Sequence, residues 1–207
     1  MGKLIDFLIR AEHKLYITKK RARLKNRDIC ILSSNCNGAY ILHDMGCKFN
    51  TPTVNLYFKP GDFLKFVKDP ARYLNAVPIE TFEENISFPI GQLLDIRLYF
   101  MHYKSFPEAR EKWNERSKRV KLDNVFVMMT DKDNCTYEQL KEFDQLPYQK
   151  KVVFTCRTYP EIKSAFYIPG FEKEGEVGVL SDWKPQFWRR RWLDDYDYVK
   201  IMNASKK

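Results

Sequence analysis

CILSSNCNG, residues 30–38, is the stretch in which an apolar run ends abruptly in small polar residues. The run over residues 28–34 has the composition of a buried strand, and residues 37–45 favour a helix that ends at Gly46. The same change from strand to helix recurs at residues 94–107 and 124–136. Strands that alternate with helices indicate βαβ units. We therefore predict an α/β fold, a three-layer arrangement in which a mostly parallel sheet carries helices on both faces.

The chain of 207 residues has the length of one domain with a sizeable core. Residues 1–27 are predicted to form a basic amphipathic helix. Residues 28–207 are predicted to form a single α/β domain with a less regular C-terminal part and an aromatic and basic tail. Shorter strands are expected at residues 54–58 and 165–168, and residues 175–179 are a further option.

The net charge of +9 is concentrated at the two ends of the chain. Residues 1–27 carry +7 and residues 184–207 carry +4, whereas residues 28–183 carry −2. Both nucleic-acid binders and proteins that rest on anionic membranes show such ends. Because no nucleic-acid-binding motif is present, we do not expect a nucleic acid partner.

The N-terminal helix has an apolar stripe at helical spacing, formed by Leu4, Phe7, Leu8, Ala11 and Leu15. In one interpretation, residues 1–25 lie on an anionic membrane surface, as interfacial helices of this composition do. In the other, the stripe packs on the domain and the charges are solvated.

The aromatic and basic tail at residues 183–192 interleaves three tryptophans with basic residues. It is expected either to join the N-terminal helix at the membrane or to close the core. In the second case its arginines would pair with Asp194, Asp195 and Asp197.

Five scattered cysteines without a metal-binding spacing disfavour a structural zinc site and fit a reducing compartment. No apolar run approaches the roughly 20 residues that a membrane span needs, and the N-terminus lacks a signal peptide pattern. We therefore expect a cytoplasmic protein, peripheral at the inner face of the cell membrane.

Cys36, His102 and Asp131 come at the ends of three predicted strands. Since ligands bind outside the carboxyl ends of parallel strands, we expect these side chains to meet in one crevice. A thiol at a helix N-terminus has a lowered pKa, which makes Cys36 a catalytic candidate with His102 as its base. Asp131 or Asp133 would orient the imidazole. The alternative is that Cys36 only fills a tight turn beside Gly38.

Asp131-Lys132-Asp133 has the spacing of the acidic pair with which many nucleotide-sugar glycosyltransferases hold a divalent cation. Mg²⁺ and Mn²⁺ prefer such carboxylate ligands, so Asp131 and Asp133 predict a Mg²⁺ or Mn²⁺ site. The alternative is a solvated loop in which Asp133 and Asn134 form a turn and Thr136 caps the next helix.

Basic and polar residues near the first two junctions are predicted to bind an anionic substrate. The start of the helix after His102 offers free N–H groups, which attract phosphate. Surface pairing with the glutamates of the same helix is the alternative. The predicted substrate-binding residues are Asn35, Lys104, Ser105, Arg116 and Arg119.

Several short motifs in the same order resemble one known bacterial family. They include Ser34–Gly38, Thr51-Pro52-Thr53, Phe88–Gly91, His102–Ser105, Asp123–Val127 and Asp131–Thr136. The family is the domain-of-unknown-function family numbered 1919, whose members are often labelled exopolysaccharide biosynthesis proteins. The resemblance covers about residues 28–203 and implies a role in making or decorating cell-surface polysaccharide.

Two details of the resemblance concern the candidate site. The family commonly has an aromatic residue and a second glycine after its cysteine, where this chain has Asn37-Gly38-Ala39. The chain also looks distantly like a papain-like family with a cysteine after the first strand and a later histidine. That likeness keeps Cys36 and His102 together in our interpretation.

The leading hypothesis is a transferase of cell-surface polysaccharide biosynthesis that acts on a sugar nucleotide or a lipid-linked glycan. Glycosyl transfer through Asp131 and Asp133 is slightly favoured over acyl transfer. One alternative is a papain-like acyltransferase or hydrolase that uses Cys36 and His102. Another is a non-catalytic membrane-associated adaptor of a polysaccharide assembly complex.

Overall fold

The computed structural model describes residues 3–185 and 190–204, without the side chains of residues 3–6. In chain order the helices of this part are α1 (Lys3–Arg23), α2 (Asn37–Met45), α3 (Pro60–Lys68), α4 (Pro70–Leu74), α5 (Phe106–Ser117), α6 (Tyr137–Gln145) and α7 (Tyr198–Asn203). A 3₁₀ turn spans Trp192–Asp195. The strands are β1 (Cys30–Ser33), β2 (Ile79–Thr81), β3 (Ile90–Leu93), β4 (Ile96–Tyr99), β5 (Val125–Thr130), β6 (Lys151–Thr155) and β7 (Ala165–Tyr167).

The main sheet consists of four parallel strands in the order β1-β5-β6-β7. Ser33 of β1 lies opposite Met128 of β5, and Thr130 of β5 lies opposite Phe154 of β6. Every residue of β1 and β5 is buried, because strands of a parallel sheet are covered on both faces. This explains their nearly continuous apolar sequences. The predicted α/β fold with a mostly parallel sheet is confirmed.

A hydrophobic core lies on each face of the main sheet. In the first core, Trp113 of α5 and the apolar residues of α3 and α6 pack with Leu32 of β1. In the second core, Ile41 of α2 and the apolar residues of α1 and α7 pack with Ile31 of β1. Neighbouring residues of β1 therefore enter opposite cores, as the two-residue period of a strand requires.

The strand expected before His102 is not part of the parallel sheet, on which the expected meeting of Cys36 and His102 rested. β4 pairs antiparallel with β3, and β3 pairs antiparallel with β2, in a separate three-stranded sheet. Only Leu94 and Asp95 separate β3 from β4. Such a short loop permits a hairpin but not the crossover of a dozen or more residues that parallel strands need.

The expected strand at residues 54–58 is an extended segment that joins the two sheets. The Phe58 N–H donates to the Ser34 carbonyl at 2.9 Å, just beyond β1. Tyr57 exchanges two backbone hydrogen bonds with Tyr99 of β4, at 2.9 and 3.0 Å. The end of β4 is thereby held beside the end of β1. Residues 175–179 do not form the optional strand.

α1 packs on the second core with the face opposite to its predicted apolar stripe. Ile17 is buried there, as is Leu24 just after the helix, whereas Phe7, Leu8 and Leu15 of the stripe are 67%, 57% and 65% exposed. The interpretation in which the stripe packs on the domain is therefore wrong for these residues. In the described part of the chain, no helix combines the length and the apolar character that crossing a bilayer requires.

The described residues of the aromatic and basic tail turn toward the protein. Arg191 is buried and pairs with Asp194, and Lys184 pairs with Asp195. The expected pairing of the tail's arginines is thus found at Asp194, whereas Asp195 pairs with a lysine and Asp197 pairs with Arg23 of α1. Residues 186–189, which include the middle tryptophan of the tail, lie outside the described residues.

Candidate functional site

The turn between β1 and α2 is held by the side chain of Asn35. Its Nδ2 donates to Thr130 Oγ1 at the end of β5 (2.8 Å), and its Oδ1 accepts from the N–H of Asn37 (3.1 Å). Gly38 lies so close to β1 that an added Cβ would stand 2.8 Å from Ile31 Cγ2. Asn35, which the sequence assigned to substrate binding, therefore has a positioning role in the structure as well.

Two adjoining cavities open beside this turn, with volumes of about 300 and 380 Å³. Both are lined by Cys36, Tyr40 and His102. The first also has Asn55 and Arg116 in its wall, together with apolar side chains. We call it the Arg116 cavity.

The second cavity has the rings of Tyr57 and Phe88 in its wall, and we call it the Tyr57 cavity. Its other lining residues include Asn35, Tyr57, Phe88, Met101, Lys132, Asp133, Val179 and Leu180. The first two of the three predicted junctions thus meet, and the third contributes through its loop.

His102 reaches Cys36 by a different route from the one predicted. It follows β4, which is not part of the main sheet, but its backbone N–H donates to the Asn55 carbonyl at 3.3 Å. Asn55 belongs to the segment that also covers Cys36. His102 is exposed, and among the described residues no hydrogen bond joins its ring to the Cys36 thiol.

Cys36 occupies the N-cap position of α2, yet the pKa of its thiol is higher than that of an exposed cysteine. Burial raises the pKa of Cys36, and hydrogen bonding with the backbone of Asn55 and Leu56 lowers it by less. The Sγ atom lies 3.7 Å from the Leu56 carbonyl. The predicted lowering of this pKa by the helix N-terminus is therefore wrong, because desolvation of the thiolate outweighs it. The resting side chain is a neutral thiol.

Among the described contacts, the hydrogen bonds of Asp131 are to residues other than Cys36 and His102. It is buried, its carboxylate accepts a hydrogen bond from Cys156 Sγ at 3.5 Å, and burial raises its pKa. Its backbone carbonyl accepts from Val177 N–H at 2.7 Å. Asp131 lines neither of the two cavities, so the expected orientation of His102 by Asp131 is absent from the described contacts.

Asp133 lies in the wall of the Tyr57 cavity, where burial raises its pKa. Asp131 bonds to Cys156 and lines neither cavity, so the two carboxylates do not line a common cavity. Within the described residues, no group of three or more metal-binding side chains is assembled. The Mg²⁺ or Mn²⁺ site at Asp131 and Asp133 stays a prediction.

The predicted basic residues separate into two groups. Arg116 lines the Arg116 cavity and donates from Nη1 to the Tyr103 hydroxyl at 2.8 Å. Arg119 pairs with Glu115, which is the surface pairing that the sequence offered as an alternative. Lys104 is exposed, and it is not among the described residues that line the two cavities.

Ser105 has a structural role as the N-cap of α5. Its hydroxyl accepts from the Glu108 N–H at 3.4 Å. It lines neither cavity defined by the described residues. Of the five predicted substrate-binding residues, Asn35 and Arg116 therefore lie at the site.

The aromatic wall of the Tyr57 cavity was not predicted as part of the site. The Tyr57 ring stacks on Tyr99 with 4.6 Å between centroids and meets Phe88 edge-on at 6.2 Å. The one sign of this wall in the sequence was that Phe88 belongs to a motif that carried the family resemblance. Tyr57 and Tyr99 come together only where the extended segment pairs with β4, so local sequence does not predict their contact.

Comparisons with known proteins agree with the resemblance. The model of the family described as "Domain of unknown function (DUF1919)" matches residues 8–203. An uncharacterized protein of Haemophilus influenzae is 43% identical over 203 residues, which is 97% of each chain. This chain therefore belongs to the DUF1919 family.

Proposed function

We propose that the protein is a thiol-dependent acyltransferase or hydrolase in which Cys36 is the nucleophile and His102 its base. The single observation that supports this most is that both side chains line the same two adjoining cavities. The sequence alone slightly favoured glycosyl transfer through Asp131 and Asp133. Since only Asp133 of these two residues lines a cavity, our preference moves to the thiol.

The neutral resting thiol determines the first step. His102 accepts the Cys36 proton while Sγ attacks the acyl carbonyl carbon, and an oxyanion forms. The oxyanion collapses to a thioester as the leaving group takes the proton from His102. An acceptor hydroxyl or water then attacks the thioester, and the thiol is restored. In the described structure His102 is exposed and not hydrogen-bonded to Cys36. The proposed proton transfer therefore requires the His102 side chain to rotate toward the thiol.

The charge on the oxyanion needs donors close to Cys36. The N–H of Asn37 is already bonded to Asn35, and the N–H of Gly38 donates to Ser33 Oγ at 3.3 Å. The helix start therefore has these two donors occupied. Arg116, which lines the Arg116 cavity, is the charged group that we assign to this role.

The Tyr57 cavity is the proposed place of the rest of the substrate. Aromatic rings beside a carboxylate suit a sugar, whose faces are apolar and whose hydroxyls are polar. Together with the family resemblance, this supports an acyl group carried to or from a glycan of the cell surface, held as a sugar nucleotide or a lipid-linked sugar. We also propose that this reaction takes place at the cytoplasmic face of the cell membrane.

A generic acyl ester tests the catalytic part. We would measure p-nitrophenol release from p-nitrophenyl acetate and look for an acetylated protein by intact mass. Cys36→Ser and His102→Ala should each lower the rate by about a hundredfold or more, since a positioned base contributes on the order of 10²–10⁴. Cys47→Ser is the matched control and should leave the rate unchanged. Equal rates for Cys36→Ser and the wild type would refute the proposal.

Glycosyl transfer is a second candidate because Asp133 lines the Tyr57 cavity beside aromatic rings. A single carboxylate at this position could act as the base for a sugar acceptor. Hydrolysis or transfer of a nucleotide sugar that survives Cys36→Ser but is lost in Asp133→Asn would favour it. If the protein is an adaptor without catalysis, neither substitution should affect polysaccharide production in cells.

A further inference from the structure

We propose that the outer face of α1 docks on an anionic membrane surface. The outer face comprises Phe7, Leu8, Ala11, Leu15 and Ala22, which fall within about a third of the helix circumference at 100° per residue. The proposal concerns the partner of this surface and does not depend on the reaction at Cys36.

The apolar side chains of the outer face are presented to solvent. Phe7, Leu8 and Leu15 are more than half exposed, and they lie within a little more than two turns of one helix. A monomer rarely leaves so many large apolar side chains together without a partner. An amphipathic helix lying in the membrane interface buries just such a face between the headgroups and the acyl chains.

The inner face of α1 is fixed to the protein, so the helix cannot turn its apolar side inward. His13 Nε2 bonds to Asp194 at 3.0 Å, and the Tyr16 hydroxyl donates to the Asp194 carbonyl at 3.0 Å. Lys20 is buried with its Nζ 3.8 Å from the centre of the Tyr198 ring. These contacts hold the outer face away from the core.

The charge around the outer face selects an anionic partner. Lys14 and Lys19 flank the apolar residues on its two sides, and neither forms an ion pair among the described residues. By contrast, a second exposed apolar group, Ile79 and Phe82, has Glu80 and other acidic residues beside it in sequence. Anionic lipid headgroups attract the first group and repel the second.

The same C-terminal segment touches both α1 and the Tyr57 cavity. Trp183 packs edge-on against His13 of α1, with 4.8 Å between the ring centroids. Val179 and Leu180, a few residues earlier, line the Tyr57 cavity. A short stretch of the chain therefore connects the inner face of α1 with one wall of this cavity.

Vesicle co-sedimentation tests the docking surface. The full-length protein would be mixed with vesicles of phosphatidylglycerol and phosphatidylethanolamine, and separately with vesicles of phosphatidylcholine alone. We expect binding to the anionic vesicles that weakens as salt is added, and much weaker binding to phosphatidylcholine. Phe7→Glu with Leu15→Glu should weaken partition by at least about tenfold.

Ile79→Glu with Phe82→Glu is the matched control, because it adds the same two charges at exposed apolar positions elsewhere. This control should bind the vesicles as the wild type does. Lys14→Gln with Lys19→Gln should weaken binding to anionic vesicles by on the order of tenfold. Circular dichroism melting of each variant verifies that it is folded.

Three results would overturn the proposal. One is unchanged vesicle binding by the Phe7 and Leu15 double variant, and another is an equal loss in the Ile79 and Phe82 control. The third is a wild-type dimer in lipid-free sedimentation that the Phe7 and Leu15 double variant makes monomeric. In that last case the outer face would pair with a second copy of the chain.

Discussion

Asp194→Asn should destabilise the protein strongly, since Asp194 is the centre of a buried ionic cluster. Its side chain is 1% exposed and accepts four hydrogen bonds. Oδ2 accepts from His13 Nε2 (3.0 Å), Arg191 N (3.2 Å) and Arg191 Nε (3.1 Å), and Oδ1 accepts from Arg191 Nη2 (2.9 Å). An asparagine of the same shape has one oxygen for these donors and directs an NH₂ group at the others.

The magnitude follows from the burial of Arg191. Removing one partner of a buried ion pair costs roughly 3–5 kcal/mol because the other charge is left uncompensated. Arg191 keeps its ion pair with Asp44, so we expect the lower end of the range, about 3 kcal/mol. With a urea slope of about 2 kcal/mol per M, the unfolding midpoint should fall by about 1.5 M.

Urea unfolding followed by tryptophan fluorescence measures this shift, and Asp197→Asn is the matched control. Asp197 lies three positions away and pairs with Arg23, but its side chain is 45% exposed. It also caps α7, a role that asparagine fills equally well. The control should therefore have nearly the wild-type midpoint. Equal midpoints for the two variants would refute the argument from burial.

The loss of stability caused by Asp194→Asn should also depend on pH. Burial alone would raise the pKa of Asp194, but hydrogen bonds from His13 and Arg191 overcome this and hold the pKa well below its usual range. The stabilisation is therefore fully present above the unfolded pKa of about 3.9 and is lost as the pH falls through the folded value. The difference between wild type and Asp194→Asn should narrow as the pH is lowered from about 6 toward 3.

Further predictions concern the turn that carries Cys36. Gly38→Ala should destabilise the protein by about 1–3 kcal/mol in urea unfolding, because the new Cβ meets β1 at 2.8 Å. Gly61→Ala is the control and should not destabilise the protein, because the nearest atom to its new Cβ is 3.4 Å away. Asn35→Ala should cost about 1–2 kcal/mol through its two lost hydrogen bonds, with the same measurement. Alkylation of Cys36 by iodoacetamide, followed by peptide mass spectrometry, should be slower than that of a free thiol at neutral pH and should accelerate as the pH rises.

Much of the fold could be predicted because its signals are local. β5 is an unbroken apolar run, and α2 ends at Gly46, whose φ of 65° is the left-handed conformation that glycine accepts readily. Thr136 and Gln139 form a capping box at the start of α6. Each of these features depends on neighbours in sequence, so the sequence alone indicates them.

The partner of β4 could not be predicted in this way. A hairpin loop of two residues usually contains glycine or asparagine, but here Leu94 takes a φ of 55° without that signal. β3, the strand with which β4 pairs, was itself not predicted, so the hairpin was not recognised.

The site was predicted in part for the same reason. The convergence of Cys36 and His102 was expected, but it arises through the extended segment at residues 54–58 and not through parallel pairing. That segment also buries the thiol, which reverses the expected direction of its pKa. The carboxylate of Asp131 is bonded to Cys156, a contact between two strands that no local pattern specifies.

The contacts between α1 and the C-terminal segment have a consequence for biosynthesis. His13 and its partner Asp194 are 181 positions apart, so α1 completes its packing only after Asp194 has left the ribosome. At about 5–20 residues per second, synthesis of the stretch between them takes roughly 10–40 s. Throughout that interval the part of the inner face that contacts Asp194 is uncovered, as is the outer face. Truncation before Asp194 should therefore leave α1 open to proteases and chaperones.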